Sequence, residues 1–585
     1  MRTSALQYLY MQKPVSTIIL VCLISILPWA ATNGFSTKGE PREAAVAVSM
    51  LKTGDWTLPK VYANEFAYKP PMMHWMIAAF SLPNGYVTEF TSRLPSVLAC
   101  TAMLACVLLF FGRRVRFQEA FIATLLLLTC VEIHRAGLAA RVDMLLTAFM
   151  VTGLIELYRW EDKMEMKGLP IQIPILLSGA ILTKGPVGLV VPLFVFGVYL
   201  LVLRRYSWRK IVKSLVYVTV SSVLVPSVWY IEAWRREGID FLNVALAENF
   251  GRFFHLGSSN IHYELGHENG AWYNFVTLAA GFVPWTLLIF ISLFGLKIAR
   301  PDSPPRQWLS KCRNGILAMD KVHLFSMVAS VCIVFFYCLP SSKRSVYLMP
   351  AYPFIALFLS QYILHFVERR SMVMRVFAGV MVTLVALVLV CAVLQQTGVI
   401  DLYGLASLYI ARASSLETIK AVALSLSPSA ITLSVLALML TALATLCYQM
   451  VKRNNIKILY STIFIMFTVN LFIDGVVMRK IHEEGSSRPL ATEIQRRFPV
   501  SDTNVYVVNN LRLYPNMYGL NFYMGNCFRD LDAEKPPSGY FLSAEKVFPA
   551  IVEKYAGKYL FEELHVSDVI PEIRGRIVLS RFREK

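Results

Sequence analysis

Charge is scarce in this sequence. Of its 585 residues only 16% are Asp, Glu, Lys or Arg, against roughly 25% in an ordinary soluble domain. Acids are the scarcer sign, 38 against 57 bases, which leaves a net charge of +19. Metal-ligand spacing is also lacking. Of the ten cysteines, Cys22, Cys100, Cys106, Cys130, Cys332, Cys391 and Cys447 sit inside apolar runs as small hydrophobes, and Cys527 stands alone in the C-terminal region. No CxxC or Cys/His pair is spaced to hold zinc. There is no glycine fingerprint for a dinucleotide, and no repeat of fixed period. The apolar stretch 16–30 ends at Pro28-Trp29-Ala30-Ala31 without a small-residue cleavage pattern, so it is expected to be a retained first span rather than a signal peptide. Short alternating apolar segments of the β-barrel kind are missing too.

What is present is apolar sequence. Hydrophobic residues make up 56% of the chain and the mean hydropathy is +0.53. Runs near the ~20 residues that cross a bilayer recur along it. They predict a polytopic α-helical membrane protein with about 13 spans, near 16–33, 91–112, 117–134, 142–159, 171–183, 186–203, 211–233, 274–299, 322–339, 345–366, 373–395, 428–450 and 457–477. The fifth is short, and Lys184-Gly185-Pro186 separates it from the sixth.

The surplus positive charge is placed as membrane orientation requires, not as a nucleic-acid patch. With the N-terminus in the cytoplasm, successive inside loops carry Arg113, Arg114 and Arg116, then Arg159, Lys163 and Lys167, then Arg204, Arg205, Arg209, Lys210 and Lys213. The later inside loops are basic as well. An odd span count leaves the C-terminal region outside. That region holds short β-rich runs at Asn504–Val508 and Gly539–Leu542, with helical spacing at 489–498 and 544–556. The expected division is therefore a membrane domain, 1–478, and a small extracytoplasmic α/β domain, 479–585. The membrane domain includes an interfacial loop, 35–90, and an outer loop, 234–273.

Charge that is scarce elsewhere gathers on the outside loops, where it is costly unless paired. Loop 35–90 carries Glu40, Arg42, Glu43, Lys60, Lys69 and His74. Residues 41–52 have the spacing of an amphipathic helix lying on the interface, with Glu43 and Lys52 on its solvated face. Glu40 and Lys69 instead sit in turn-like stretches beside Gly or Pro. Arg141 and Asp143 open the fourth span; an acid there complements the helix dipole by ~0.3–1 kcal/mol, which accounts for Asp143 but not for Arg141. Lys184 either snorkels to the interface or meets an anion at the turn before the next helix. The outer loop holds Arg252 and three histidines, His255, His262 and His267, whose spacing matches no compact zinc motif. Lys343, Arg344 and Tyr347 join two further spans. Cations on separate outside loops suit a phosphate, since charge-assisted hydrogen bonds are the strong ones. An enzyme working on a lipid-borne anionic substrate is the expectation. A transporter or flippase would keep such residues near the bilayer midplane, and an assembly protein would not need convergent acids and bases.

Several blocks in order also resemble one family. Gly39-Glu40-Pro41-Arg42-Glu43-Ala44, Gly54-Asp55-Trp56, Tyr68-Lys69-Pro70-Pro71 and Ser92-Arg93-Leu94-Pro95 are followed by Arg141-Val142-Asp143, Thr183-Lys184-Gly185-Pro186, Phe282-Val283-Pro284-Trp285 and Tyr347-Leu348-Met349-Pro350. Together they resemble the lipid A 4-amino-4-deoxy-L-arabinose transferases, which with the protein O-mannosyltransferases are GT-C glycosyltransferases of the 39/83 type. The resemblance implies a GT-C fold in a bacterial inner membrane. It implies transfer of a sugar, aminoarabinose or a relative, from a polyprenyl-phosphate donor to lipid A or another envelope acceptor, with inversion and no nucleotide sugar. Protein or glycan acceptors stay open.

The resemblance casts Glu40 and Asp143 as catalytic carboxylates. Arg42, Tyr68, Lys69, Arg141, Lys184, Arg252, Lys343, Arg344 and Tyr347 become substrate-binding residues. The family's opening Asp-Glu pair appears here as Gly39-Glu40, so Glu40 is the expected substitute. The glutamate that precedes the family's lysine has become Tyr68, and Asn249 stands near an expected histidine. That pair is associated with zinc in the aminoarabinose enzymes, so no metal and no cofactor are expected here.

Overall fold

The computed structural model describes residues 2–35, 39–62, 65–67, 69–248, 269–294, 314–316, 318–340, 342–410, 413–508, 517–570 and 575–585. Each of the thirteen expected spans falls on a helix or a bent helix pair as far as the described residues extend. Among the described residues eight helices are long and apolar enough to cross a membrane, or ten if two bent pairs each count as one span. Gln172–Lys184 and Val187–Leu203 are shorter apolar helices. Val142–Met164 is long enough, but it carries Asp143, Glu156, Arg159, Glu161, Asp162 and Lys163.

The bends have local causes. Phe117–Thr129 and Val131–Leu138 meet at 61°, with Cys130 extended between them. Tyr273–Gly281 and Trp285–Phe294 meet at 104°, where Pro284 supplies no N–H to continue the ladder. Lys184-Gly185-Pro186 ends one helix and starts the next, as the sequence predicts; Gly185 takes φ 80°, a left-handed value that an L side chain resists. The helix starting at Trp208 does not stop at 233 but runs to Leu246, kinked at Gly238 (φ 60°). Its extension packs on the segment 55–60 through Arg236 to Asp55 (2.8 Å), Lys60 to Glu237 (3.1 Å) and Trp229 Nε1 to the Thr57 carbonyl (2.9 Å).

The first helix buries Ile18, Cys22 and Ile26. Its Cys22 Sγ lies 3.4 Å from Thr101 Oγ1 on the helix Glu89–Phe111. That second helix is started by a capping box between Thr88 and Thr91. At the other end of the chain, Asn455–Phe472 passes through a π-helical turn, Ile473–Met478, into Arg479–Gly485. Within that turn Asp474 is buried and paired with His134 (2.6 Å).

Beyond it lies the α/β region. Strands β1 (Lys60–Val61) and β2 (Glu65–Phe66) form a small hairpin in the first loop. The C-terminal sheet contains β3 (Val505–Val507), β4 (Arg529–Asp530), β5 (Ser538–Ala544), β6 (Tyr559–Val566) and β7 (Ile577–Glu584), ordered β4-β3-β5-β7-β6. β3 runs parallel to β4 and β5, while β7 pairs antiparallel with β5 and β6. Helices Arg488–Arg497 and Phe548–Tyr555 fall where their spacing predicts. The two longest strands, β6 and β7, escape a reading for clean alternation: β6 carries Glu562, Glu563 and His565 and is bulged between Glu563 and His565.

Candidate functional site

The site is built on the helix Gly39–Thr53, and its setting corrects one expectation. The helix does not lie on the interface with Glu43 in solvent. Glu40, Glu43, Ala44, Ala45, Val46 and Ala47 are all buried. One side packs on Met72–Ser81 and another on the C-terminal region, where Phe35 meets Phe522 (ring centroids 5.1 Å apart) and Tyr62 meets Tyr518 (4.8 Å). Cover from both sides leaves only the C-terminal end of the helix, Lys52 and Thr53, exposed. The alanines let both neighbours approach closely, which is the sequence signal for burial that the charge pattern obscures.

Glu40 is fully engaged. Its two oxygens accept from Arg93 Nε (2.8 Å) and Nη2 (3.0 Å), and Oε1 also accepts from the Ala140 N–H (2.9 Å). Arg93 is 1% exposed, donates to the carbonyls of Asn33 and Gly34, and stacks its guanidinium 5.1 Å from the Phe35 ring. Burial pushes the Glu40 carboxyl up, but Arg93 and the Ala140 N–H outweigh it, and the group is held below its ordinary range. Glu40, expected as a catalytic carboxylate, thus places three of its roughly four acceptor positions on a buried bidentate pair and a backbone N–H. What it does is fix Ala140, and with it the turn that carries Arg141 and Asp143. Arg93 sits in the block Ser92-Arg93-Leu94-Pro95, but nothing in its local sequence reveals a partner 53 residues away.

Glu43, one helical turn on, is the carboxylate that faces the charged cluster. It pairs with Lys69, accepts from His74 Nε2 (2.7 Å) and lies 3.4 Å from Arg42. An ionised carboxylate only accepts, so Nε2 carries the proton. His74 Nδ1 is buried without a hydrogen-bond partner. The adjoining cavity, about 20 Å³ and lined by Glu65 and Tyr518 among others, holds one water at most. Tyr518 donates to Glu65 (3.2 Å), so the C-terminal region closes this side of the site. Burial raises the Glu43 carboxyl, yet Lys69, His74 and Arg42 hold it well below the usual range. Burial and the neighbouring Arg42 charge bring the Lys69 ammonium down to about 7, against the pull of Glu43.

The second half of the cluster comes from two turns and a 3₁₀ helix. Lys184, at the C-terminal end of its helix, pairs with Asp143 at the start of Val142–Met164. Arg141 lies 3.9 Å from Asp143, and its guanidinium lies against Gly39, where any Cβ would fall within 2.8 Å of the guanidinium carbon. The short helix Ser345–Ala351 brings the Tyr347 ring 4.3 Å beneath the Lys184 ammonium and 5.6 Å from the Tyr337 ring. Lys69 and Arg141 are near enough to repel, and Lys69 and Asp143 near enough to attract. Arg42, Glu43, Lys69, Arg141, Asp143, Lys184 and Tyr347 thus form one cluster, with four basic side chains against two acidic ones.

Not every expected residue joins it. Lys343 is buried and turned aside: its Nζ donates to the Asn269 carbonyl (3.2 Å), and Asn269 Nδ2 returns a bond to the Lys343 carbonyl (3.1 Å). Lys343 is thereby tied to Asn269. Arg344 is half-buried beside it. Tyr68, Arg252 and the three loop histidines lie outside the described residues. Among the described residues no three His, Cys, Asp or Glu side chains gather as a metal site would.

The cluster can be set beside known proteins. Residues 68–230 match the family model described as dolichyl-phosphate-mannose-protein mannosyltransferase. The undecaprenyl phosphate-alpha-4-amino-4-deoxy-L-arabinose arabinosyl transferase of Enterobacter sp. (strain 638) is 21% identical over 327 residues, 55% of this chain and 54% of that one. Its counterpart from Shewanella sediminis is 21% identical over 377 residues, 62% of each chain. The chain thus aligns with little more than half the length of these relatives. In three dimensions the match is fuller. ArnT from Cupriavidus metallidurans, crystallised bound to undecaprenyl phosphate, superposes with a TM-score of 0.69 over 97% of both chains at 17% identity. Its apo state gives 0.66. The resemblance read from the sequence holds in both comparisons, and the fold is the GT-C fold.

Proposed function

We propose that this chain is an integral-membrane glycosyltransferase. It moves a sugar, aminoarabinose or a close relative, from a polyprenyl-phosphate carrier to lipid A on the outer face of a bacterial inner membrane. One observation carries the reading: basic side chains from four separate segments converge on two carboxylates at one end of the helices. In the proposed orientation the N-terminus is cytoplasmic. Residues 1–478 form the catalytic membrane domain, and 479–585 form a periplasmic domain that covers the site through Tyr518 and Phe522.

The reaction is an inverting displacement. An acceptor oxygen attacks the anomeric carbon, the bond from that carbon to the carrier-phosphate oxygen breaks, and its electron pair leaves on the phosphate. The leaving group passes from a singly charged diester towards a doubly charged monoester. Lys69, Lys184 and Arg141 are positioned to stabilise that growing charge, the kind of preorganised electrostatic contribution that often dominates catalysis. Arg42 joins them from the helix Gly39–Thr53. Arg suits bidentate phosphate contact and Lys acts as a point charge.

Asp143 is the carboxylate assigned to the acceptor. With a hydroxyl acceptor it takes the proton; with a phosphate acceptor, already nucleophilic near neutrality, it orients the incoming group. Glu43 keeps Lys69 in place and His74 keeps Glu43 in place, so both are positioning residues. Tyr347, below Lys184, lines the sugar or headgroup side, and Arg252 and Tyr68 are carried as substrate contacts on their sequence blocks alone. No metal takes part in this scheme, because Tyr68 and Asn249 stand where the zinc-associated glutamate and histidine are expected.

A second reading keeps the donor and changes the acceptor to a protein or glycan; the mannosyltransferase model over 68–230 favours it. Mass spectrometry of lipid A, glycoproteins and carrier lipids from cells with and without the protein separates the two. The expected result is a sugar-sized mass missing from lipid A, with the charged carrier accumulating. A change confined to glycoproteins establishes the second reading, and no change in any of the three pools overturns both.

A further inference from the structure

At the far end of the helices that carry the site lies a larger cavity, of about 550 Å³. Asp143 opens the helix Val142–Met164 and Asp162 lies near its close, 19 residues on. At ~1.5 Å rise per residue that is about 29 Å, close to the ~30 Å thickness of a bilayer core. The cavity therefore sits at the opposite membrane interface from the catalytic cluster, whichever way the chain is oriented. Its volume falls within the ~300–1,000 Å³ of small-ligand sites. Its charged lining is Arg113, Arg114, Arg159 and Lys163 against Glu156 and Asp162, an excess of two positive charges.

Orientation alone accounts for cations on this face, and helix C-termini attract them. Arg114 does donate to the Phe110 carbonyl at such an end (3.2 Å). Neither effect calls for a cavity, or for guanidinium groups held rigid around it. Arg114 is clamped between the rings of Phe110 (4.5 Å) and Tyr158 (5.4 Å), and Arg159 lies over Phe110 (6.0 Å). The acids offset only part of the set: Glu156 pairs with Arg159, and Asp162 lies 3.8 Å from Arg114 and 3.4 Å from Lys321, so the lining keeps its positive excess. Beside the rim the surface turns apolar: Met164, Ile171 and Ile175 are 42%, 66% and 60% exposed. A basic recess bordered by a lipid-facing apolar strip is built for a ligand with an anionic head and a hydrocarbon tail.

We propose that this cavity binds the phosphate headgroup of an anionic phospholipid from the leaflet opposite the catalytic site, with the acyl chains along Ile171 and Ile175. Inorganic phosphate shares the head chemistry but not the tail, so the test carries both. Native mass spectrometry of the full chain in detergent, titrated with phosphatidylglycerol, phosphatidylcholine or inorganic phosphate, reads the occupant by mass. The wild type is expected to retain one phosphatidylglycerol with at least ~10-fold preference over phosphatidylcholine, a difference of about 1.4 kcal/mol. Arg113→Gln with Lys163→Gln should lower that retention at least ~5-fold, and Lys163→Gln alone, at an exposed position, should lower it in the same direction if the double variant does not fold. Equal retention by wild type and variants overturns the proposal. So does equal retention of the two lipids, or displacement of the lipid by equimolar inorganic phosphate. None of these outcomes depends on sugar transfer, so the proposed activity stands or falls separately.

Discussion

Glu40→Gln decides what the buried pair is for. The substitution keeps the shape of the side chain and removes its charge. Arg93, 1% exposed, then loses its bidentate partner. A glutamine offers one carbonyl oxygen and turns an NH₂ towards either the guanidinium or the Ala140 N–H, donor against donor. Breaking one side of a buried ion pair costs about 3–5 kcal/mol. The Asn33 and Gly34 carbonyls still accept from Arg93 and place this case towards the lower end. A loss of 3 kcal/mol is roughly a hundredfold fall in the folded-to-unfolded ratio. Thermal unfolding of the purified protein, followed by tryptophan fluorescence, should show a clearly lower midpoint, while the fraction that stays folded keeps most of its turnover of carrier-linked sugar. Glu40→Gln combined with Arg93→Met removes both charges and should recover most of the midpoint, since exchanging a whole buried pair for apolar packing is often neutral. A Glu40→Gln enzyme with the wild-type midpoint and no turnover would refute the reasoning and return Glu40 to the chemistry.

Asp143→Asn should lower transfer by ~10²-fold or more if the acceptor is a hydroxyl, the usual scale for losing a general base; an unchanged rate removes Asp143 from the site. Lys69 carries its charge below about 7 and loses it above. A phosphodiester donor does not titrate in that range, so donor affinity should weaken as pH rises from 7 to 9, while Lys69→Arg, which stays protonated, flattens the profile; a wild-type profile already flat contradicts the assignment. Glu43 runs the other way: its depressed carboxyl stabilises the fold above the ordinary glutamate range, and the contribution is lost as pH falls through the lowered value. Unfolding midpoints of wild type and Glu43→Gln should therefore converge on acidification, and a constant gap would count against that pairing. Chelation should leave transfer unchanged, and a loss restored by added zinc would show that the outer loop holds a metal after all.

How much was legible follows from the range of each force. Hydrophobic runs and the basic loops between them are local, and a bilayer reads them locally, so the spans and their break at Lys184-Gly185-Pro186 stand in the sequence; of the cations expected to converge, Lys69 and Lys184 join the cluster, while Lys343 bonds Asn269. The short β-rich runs of β3 and β5 also stand in the sequence, whereas the bulged and charged β6 does not. Glu40 and Glu43 sit three apart on the same helix; the resemblance casts the first as catalytic, and helical spacing puts the second on a solvated face. Burial reverses the order, because Arg93 comes from another helix and Lys69 from beyond a hairpin. The sequence by itself determined that this chain crosses a membrane many times and gathers cations on one side. Which carboxylate is locked and which faces the cluster was decided only by tertiary structure, since the strength of an ion pair depends on distance and on excluded water, and both are set by segments far apart in the chain.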